Sequence, residues 1–311
     1  MNRRLLFALI AACALAADAC SLRHLAADRV GDALAGGGGV FASDDDPQLV
    51  GDALPFSLKL MESVLAERPH HRALLLGAAR GFTQYAYGWV EHPGGGNADA
   101  VAEQRARRLY LRARNYGLRG LELARPGFQA ELRRDAPATV ARMTRDDVPL
   151  LYWTASAWAL AIATSKDDPE SVADLPLVGA MIDRALVLDE SYESGAIHGF
   201  LIAYEANRAG GDGDAAARAR KHLQRAVELS RGVAASPYVT FAEAVCVDTQ
   251  NYAEFTATLD AALAVNAAAA PASRLENEIA QRRARWLLVH ADDLFLTIPP
   301  ATDEQTKGAH R

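Results

Sequence analysis

The residues able to do chemistry are eight histidines, three cysteines and a few short runs of Ser, Lys and Asp, and their spacing limits what they could do. His70 and His71 are adjacent, so their rings cannot share a helix face. After Pro69 they read as solvated histidines of a hairpin turn. His198 lies on an expected helix near Tyr192, Phe200 and Tyr204, which suits a partly buried imidazole with its hydrogen bonds satisfied better than a general base. Asp44-Asp45-Asp46 could offer carboxylates to a metal. Followed by Pro47, however, the run reads as a helix N-cap, where acids suit the helix dipole and Pro suits the first turn. Ser165-Lys166 has the composition of a Ser-Lys dyad, but adjacent side chains diverge on a helix, and the pair reads as a helix end. The chain has no G-x-S-x-G elbow, P-loop or H-E-x-x-H helix. No catalytic residue, metal ligand or cofactor is therefore expected, and a periplasmic hydrolase is the weakest reading.

Cysteine placement points to a different use. Met1-Asn2-Arg3-Arg4 followed by the apolar run Leu5 to Ala17 has the charge and length of a secretory signal and is too short to span a bilayer. It ends at Asp18-Ala19-Cys20, a small residue before a cysteine, which resembles a bacterial lipoprotein cleavage site. The expectation is a signal over 1–19 and a lipid anchor on Cys20, with ordinary signal cleavage as the alternative. Cys13 leaves with the signal, and Cys246 remains the single free thiol in an apolar helical stretch, Ala242 to Val247. That is a structural, buried thiol and excludes an internal disulfide.

Aromatic residues make up only 7% of the chain, yet seven fall in two strings, Gly81 to Trp89 and Leu151 to Trp158. Tyr85 and Trp89 would share one helix face, and Tyr152 and Ser156 another. Such stripes fill cores, or they line a cavity that also satisfies the Tyr and Trp polar atoms. Gln281 to Arg285 places three arginines in five positions beside Trp286. That face would bond helix ends or acidic neighbours, or alternatively touch an anionic head group.

The elements positioning these residues are helices. Of 311 residues, 64 are alanine, the best helix former, and strand-like alternation is scarce. Leu54, Leu58, Met61 and Leu65 form a helical face that ends at Glu67-Arg68-Pro69, and Asp168-Pro169 repeats the cap-plus-Pro device of Asp46-Pro47. Arg119-Gly120-Leu121-Glu122-Leu123, Arg184-Ala185-Leu186-Val187-Leu188 and Arg225-Ala226-Val227-Glu228-Leu229 align without gaps, and Asp260 to Val265 is a looser copy. The small residue recurs at 120, 185, 226 and 262, and its last two separations approach the 34-residue period of tetratricopeptide (TPR) repeats. The fold class expected is all-α, an irregular TPR-like α-solenoid of about four hairpins over 20–298, with a disordered tail over 299–311. Net charge is −6, and −7 once the signal is gone, which excludes a nucleic-acid partner and electrostatic adhesion to a membrane.

The chain also resembles a known family, the T component (TatT) associated with tripartite ATP-independent periplasmic (TRAP) transporters. The resemblance is carried by Cys20-Ser21-Leu22, Phe41 to Pro47, Gly81 to Tyr87, Leu109 to Arg114, Leu151 to Ala155, Ser165 to Pro169, Ala173 to Val178, Arg184 to Glu190, Ala235 to Val239 and Gln281 to Leu288. It covers about residues 20 to 296 and departs at Asp18, in the box before Cys20.

The resemblance implies a periplasm-facing, lipid-anchored TPR-like protein without enzyme activity. It further implies a homotrimer that partners the solute-binding P component and binds a hydrophobic small molecule in a cleft. Joined to the aromatic strings, that expectation makes Tyr85, Trp89, Tyr152, Trp153, Trp158, His198 and Tyr238 the candidate ligand residues. A pure TPR scaffold with no small ligand is the alternative.

Overall fold

The computed structural model describes residues 28–208, 210–211 and 213–298. The signal, Cys13, the proposed anchor Cys20 and the tail from 299 lie outside the described residues. The described chain is all-α, with no strand among these residues. In order come α1 (28–36), α2 (Gly38–Ala42), α3 (Pro47–Glu67), α4 (Arg72–Tyr85), α5 (Ala100–Ala124), α6 (Phe128–Arg134), α7 (Ala136–Ala141) and α8 (Val148–Ala163). They are followed by α9 (Pro169–Val172), α10 (Leu175–Leu188), α11 (Ala196–Asn207), α12 (Ala215–Leu229), α13 (Ser236–Phe241), α14 (Tyr252–Ala264), α15 (Arg274–Val289) and α16 (Ala291–Leu294). Two π-helical turns, Ala86–Glu91 and Ala242–Cys246, continue α4 and α13.

The chain forms two compact units. Among the described residues, unit 1 holds 28–41, 48–87 and 103–184, and unit 2 holds 42–47, 88–102 and the chain from 185. In unit 1 the α3 face turns inward as its spacing requires, with Leu58 and Leu65 buried against Leu74, Ala78 and Phe82 of α4. Helices α5 and α8 approach through glycine. A Cβ on Gly117 would collide with Thr154 Oγ1, and one on Gly120 would sit 2.6 Å from Leu150 Cδ2. Asp168 caps α9 by accepting from Glu170 N at 3.2 Å, and Pro47 opens α3, as the sequence indicates. His71 departs from the expected solvated loop residue. It is the N-cap of α4, its Nδ1 accepts from Leu74 N at 3.3 Å, and its side chain is only 10% exposed. His70 is exposed.

Unit 2 buries Ile202, Phe241, Phe255, Leu259, Leu287 and Phe295 in one core. Phe295 meets the Phe255 ring edge-on at 4.9 Å and the Tyr252 ring at 5.4 Å. Cys246 is fully buried there, and burial pushes its thiol up to about 12, which removes it as a nucleophile near neutral pH.

The recurring sequence element closes a helix each time. Gly120, Ala185, Ala226 and Ala262 are all buried in the last turns of α5, α10, α12 and α14. The arginine before the small residue has a constant task. Arg119 donates to Pro69 O at 3.1 Å, Arg184 to Met143 O at 2.7 Å, and Arg225 to the Glu190 carboxylate at 2.7 and 2.8 Å. Each acceptor lies two residues beyond the end of an earlier helix, α3, α7 and α10 respectively. A helix end carries partial negative charge, so a guanidinium bonded to the loop just beyond it also sits in a favourable field.

Candidate functional site

Four of the seven candidate ligand residues fall in unit 1 and three in unit 2. In unit 1, Tyr85 is half-buried at the end of α4, where its hydroxyl accepts from Arg105 Nη2 at 3.3 Å. The Arg105 guanidinium lies 5.8 Å from the same ring. Tyr152 and Trp153 meet edge to face at 5.1 Å on α8, and Arg80 sits 5.4 Å over Trp153. Trp158, further along α8, is buried with two guanidinium groups over its ring, Arg114 at 5.0 Å and Arg133 at 5.9 Å. It lines a pocket of about 130 Å³. A second pocket in unit 1, of about 310 Å³, is walled by Arg72, Leu76, Asp146 and Leu150. Neither pocket draws a wall from Tyr85, Tyr152 or Trp153. The repeated motif in unit 1 is thus an aromatic face covered by an arginine, an arrangement that stabilises through the ring quadrupole.

In unit 2, Trp89 sits in the π-turn after α4, and its indole N–H donates to Pro47 O at 2.8 Å. Tyr238 is half-buried on α13 and packs on the unit 2 core.

His198 belongs to a polar cluster. Its Nδ1 is 2.8 Å from Nδ1 of His222 on α12, and its Nε2 is 3.2 Å from Glu190 Oε1. Two ring nitrogens facing each other need one proton between them, so both imidazoles cannot be charged at that contact. Burial lowers the His198 pKa against the pull of Glu190. The Arg225 hydrogen bonds hold the Glu190 carboxyl down to about 2. The result ties the hairpin α11–α12 to the loop after α10. The sequence placed His198 among aromatics, whereas its partners are a second imidazole and a carboxylate; Phe200 instead stacks on Tyr204 at 5.7 Å.

Sequence reasoning missed one ion pair, between the buried Arg283 and the half-buried Glu243. Arg283 on α15 donates to Glu243 Oε1 at 2.6 and 3.0 Å and to Gly95 O at 2.9 Å, and its guanidinium lies 4.7 Å over Trp286. Burial pushes the Glu243 carboxyl up, against the pull of Arg283. Glu243 occupies the second π-turn, and its signal was available as a lone acid inside the apolar stretch Ala242 to Val247. Gln281 donates to Ala262 O, Leu263 O and Val265 O at 2.7 to 3.3 Å, closing the end of α14. The string Gln281 to Arg285 therefore bonds a helix end and an acidic neighbour through Gln281 and Arg283.

Elsewhere the reactive types are occupied structurally. Ser165 Oγ donates to Ala161 O at 2.8 Å, and Asp45 pairs with Arg274 at 2.7 Å. No cluster of three or more His, Cys, Asp or Glu placed to hold a metal occurs among the described residues. Nor is any helix among them long and apolar enough to cross a membrane.

These features define an all-α protein in which many polar side chains serve helix ends, ion pairs and aromatic faces. Comparison with known proteins makes the assignment. The family model for TAtT, the TRAP transporter T-component, matches residues 43–295. An uncharacterized protein of Treponema pallidum (strain Nichols) is 33% identical over 270 residues, covering 83% of each chain. The chain belongs to the TRAP transporter T-component family, a family of transporter-associated components.

Proposed function

We propose that this chain is a non-catalytic adaptor of a TRAP transporter, built of TPR-like hairpins, anchored by lipid at Cys20 and facing the periplasm as a homotrimer. It engages the solute-binding P component and binds a small hydrophobic molecule, with Tyr85, Tyr152, Trp153 and Trp158 of unit 1 and Trp89, His198 and Tyr238 of unit 2 as its candidate ligand residues. The observation that carries the reading is the family match from residue 43 to residue 295. The recurring Arg-small element, which stands in the last turns of α5, α10 and α12, supports the repeat architecture.

A second reading, a scaffold for a protein partner without a small ligand, is favoured by the pockets. Sites for ligands of drug size run from about 300 Å³ upward. The candidate aromatic Trp158 lines only the smaller pocket, of about 130 Å³.

One preparation separates the two readings. The chain from residue 21 is mixed with the solute-binding protein of the same transporter and followed by sedimentation velocity, and its organic-solvent extract is read by mass spectrometry. The adaptor reading expects a saturable complex with a Kd of about 10 μM or tighter, in the range open to protein interfaces. The carrier half also expects a stoichiometric apolar compound in the extract. A complex with an empty extract supports the scaffold, and no complex overturns both.

A further inference from the structure

We infer that the pocket between α5, α6 and α8 binds a small, singly charged organic carboxylate, held by Arg114 and Arg133 against Trp158. The inference stands apart from the transporter reading and rests on unit 1 alone.

Two cations share one aromatic ring there, Arg114 from α5 and Arg133 from α6, at 5.0 and 5.9 Å from the Trp158 ring centre. Like charges do not gather at one ring without compensation, and the compensation present is incomplete. Arg133 pairs with Asp174 at 3.1 Å. The Arg114 side chain gives its hydrogen bonds to Asn115 Oδ1, at 3.2 and 3.0 Å, a neutral oxygen on the neighbouring residue. Two guanidinium groups against one carboxylate leave one positive charge at the pocket, in a chain whose net charge is −6. Burial, together with the charge of Arg133, lowers the Arg114 pKa despite the attraction of Asp174. A half-buried cation in that position gains most from an anion.

The walls fix the class of anion. Leu118 and Leu132 give the pocket apolar sides, and Gln129 adds an amide at its edge. Its volume of about 130 Å³ is close to that of a ~150 Å³ cavity able to take a benzene-sized molecule, so a short carboxylic acid fits. A guanidinium presents a planar fork that fits two carboxylate oxygens. One excess positive charge matches a carboxylate; a phosphate, at about −1.5 to −2 near neutral pH, would overfill it.

The test is isothermal titration of the chain from residue 21 with propionate, acetate and inorganic phosphate, at pH 7.5 and low ionic strength. Propionate is expected to bind one to one with a Kd on the order of 1 mM, the range open to a ligand of so few atoms. R114Q should weaken it at least tenfold while still unfolding in one cooperative transition, with a loss no larger than its cation–π contact with Trp158. R114K, which keeps the charge and loses the fork, should fall between them. Three outcomes each overturn the inference: no saturable propionate binding, unchanged affinity in R114Q, or phosphate bound more tightly than propionate.

Discussion

Arg283 in unit 2 and Arg114 in unit 1 occupy the same local setting, a guanidinium over a tryptophan, 4.7 Å from Trp286 and 5.0 Å from Trp158. Their remaining partners differ. Arg283 is 7% exposed, and it reaches a carboxylate and a backbone carbonyl, so its donors are consumed inside the fold. Arg114 bonds its own neighbour's amide oxygen, and the carboxylate near it, Asp174, is paired with a second arginine, Arg133. An arginine over an aromatic ring is therefore not one kind of site. With an internal acid it fastens the fold; without one, at a pocket, its charge is left for a ligand. The same division separates the rest of the molecule. Arg119, Arg184 and Arg225 are all committed to loops beyond helix ends.

Breaking the completed pair should give the largest effect. E243A leaves Arg283 buried beside no acid and should lower the unfolding free energy by about 3 kcal/mol, measured by urea unfolding. The double variant E243L/R283M should recover most of that loss, because an apolar pair replaces a buried ion pair at little cost. A single variant as stable as the wild type would place Arg283 in the same group as Arg114.

Next in size is G117A in unit 1. A methyl there meets Thr154 Oγ1 and forces α5 from α8, at about 2 kcal/mol for overpacking. Since α5 and α8 are two walls of the Trp158 pocket, the same variant should weaken propionate binding. Loss of stability with unchanged binding would separate the pocket from this helix contact.

The smallest effect expected is a pH dependence from unit 2. The folded His198 pKa lies below its ordinary 6.5, so the unfolded chain takes up the proton first. His198 therefore contributes stability above pH 6.5, and the contribution is lost as pH falls towards the folded value. Glu190, with its carboxyl held down to about 2, keeps its charge through this window. H198Q should flatten the slope of unfolding free energy below about pH 6.5. A slope unchanged in H198Q would move the titrating group elsewhere.

Local signals were legible in the sequence and long-range ones were not. Pro47, Asp168-Pro169 and the α3 stripe are set by residues within a turn of one another, and they stand where the spacing put them. The Arg-small element was legible as a repeat, but the acceptors of its arginines, 35 to 50 residues away, were not. His71 was misread because its neighbour His70 is a solvated turn residue, and nothing in the pair marks which ring turns back to cap α4. The π-turns carrying Trp89 and Glu243 escape a 3.6-residue period by construction, so Trp89 could not be placed from its spacing to Tyr85. The aromatic strings were visible, yet which arginine covers which ring depends on packing between helices. Arg114 and Arg133 are 19 residues apart and on different helices, and they meet only at Trp158.

The contrast between the two arginines is tested most directly by matched urea unfolding of the wild type, R114Q and R283Q. R114Q should lose at most about 1 kcal/mol, the scale of its cation–π contact with Trp158. R283Q should lose several times more, because its carboxylate and carbonyl partners are left unpaired inside unit 2. Equal losses in the two variants would contradict the account, since Arg114 would then be a structural residue like Arg283.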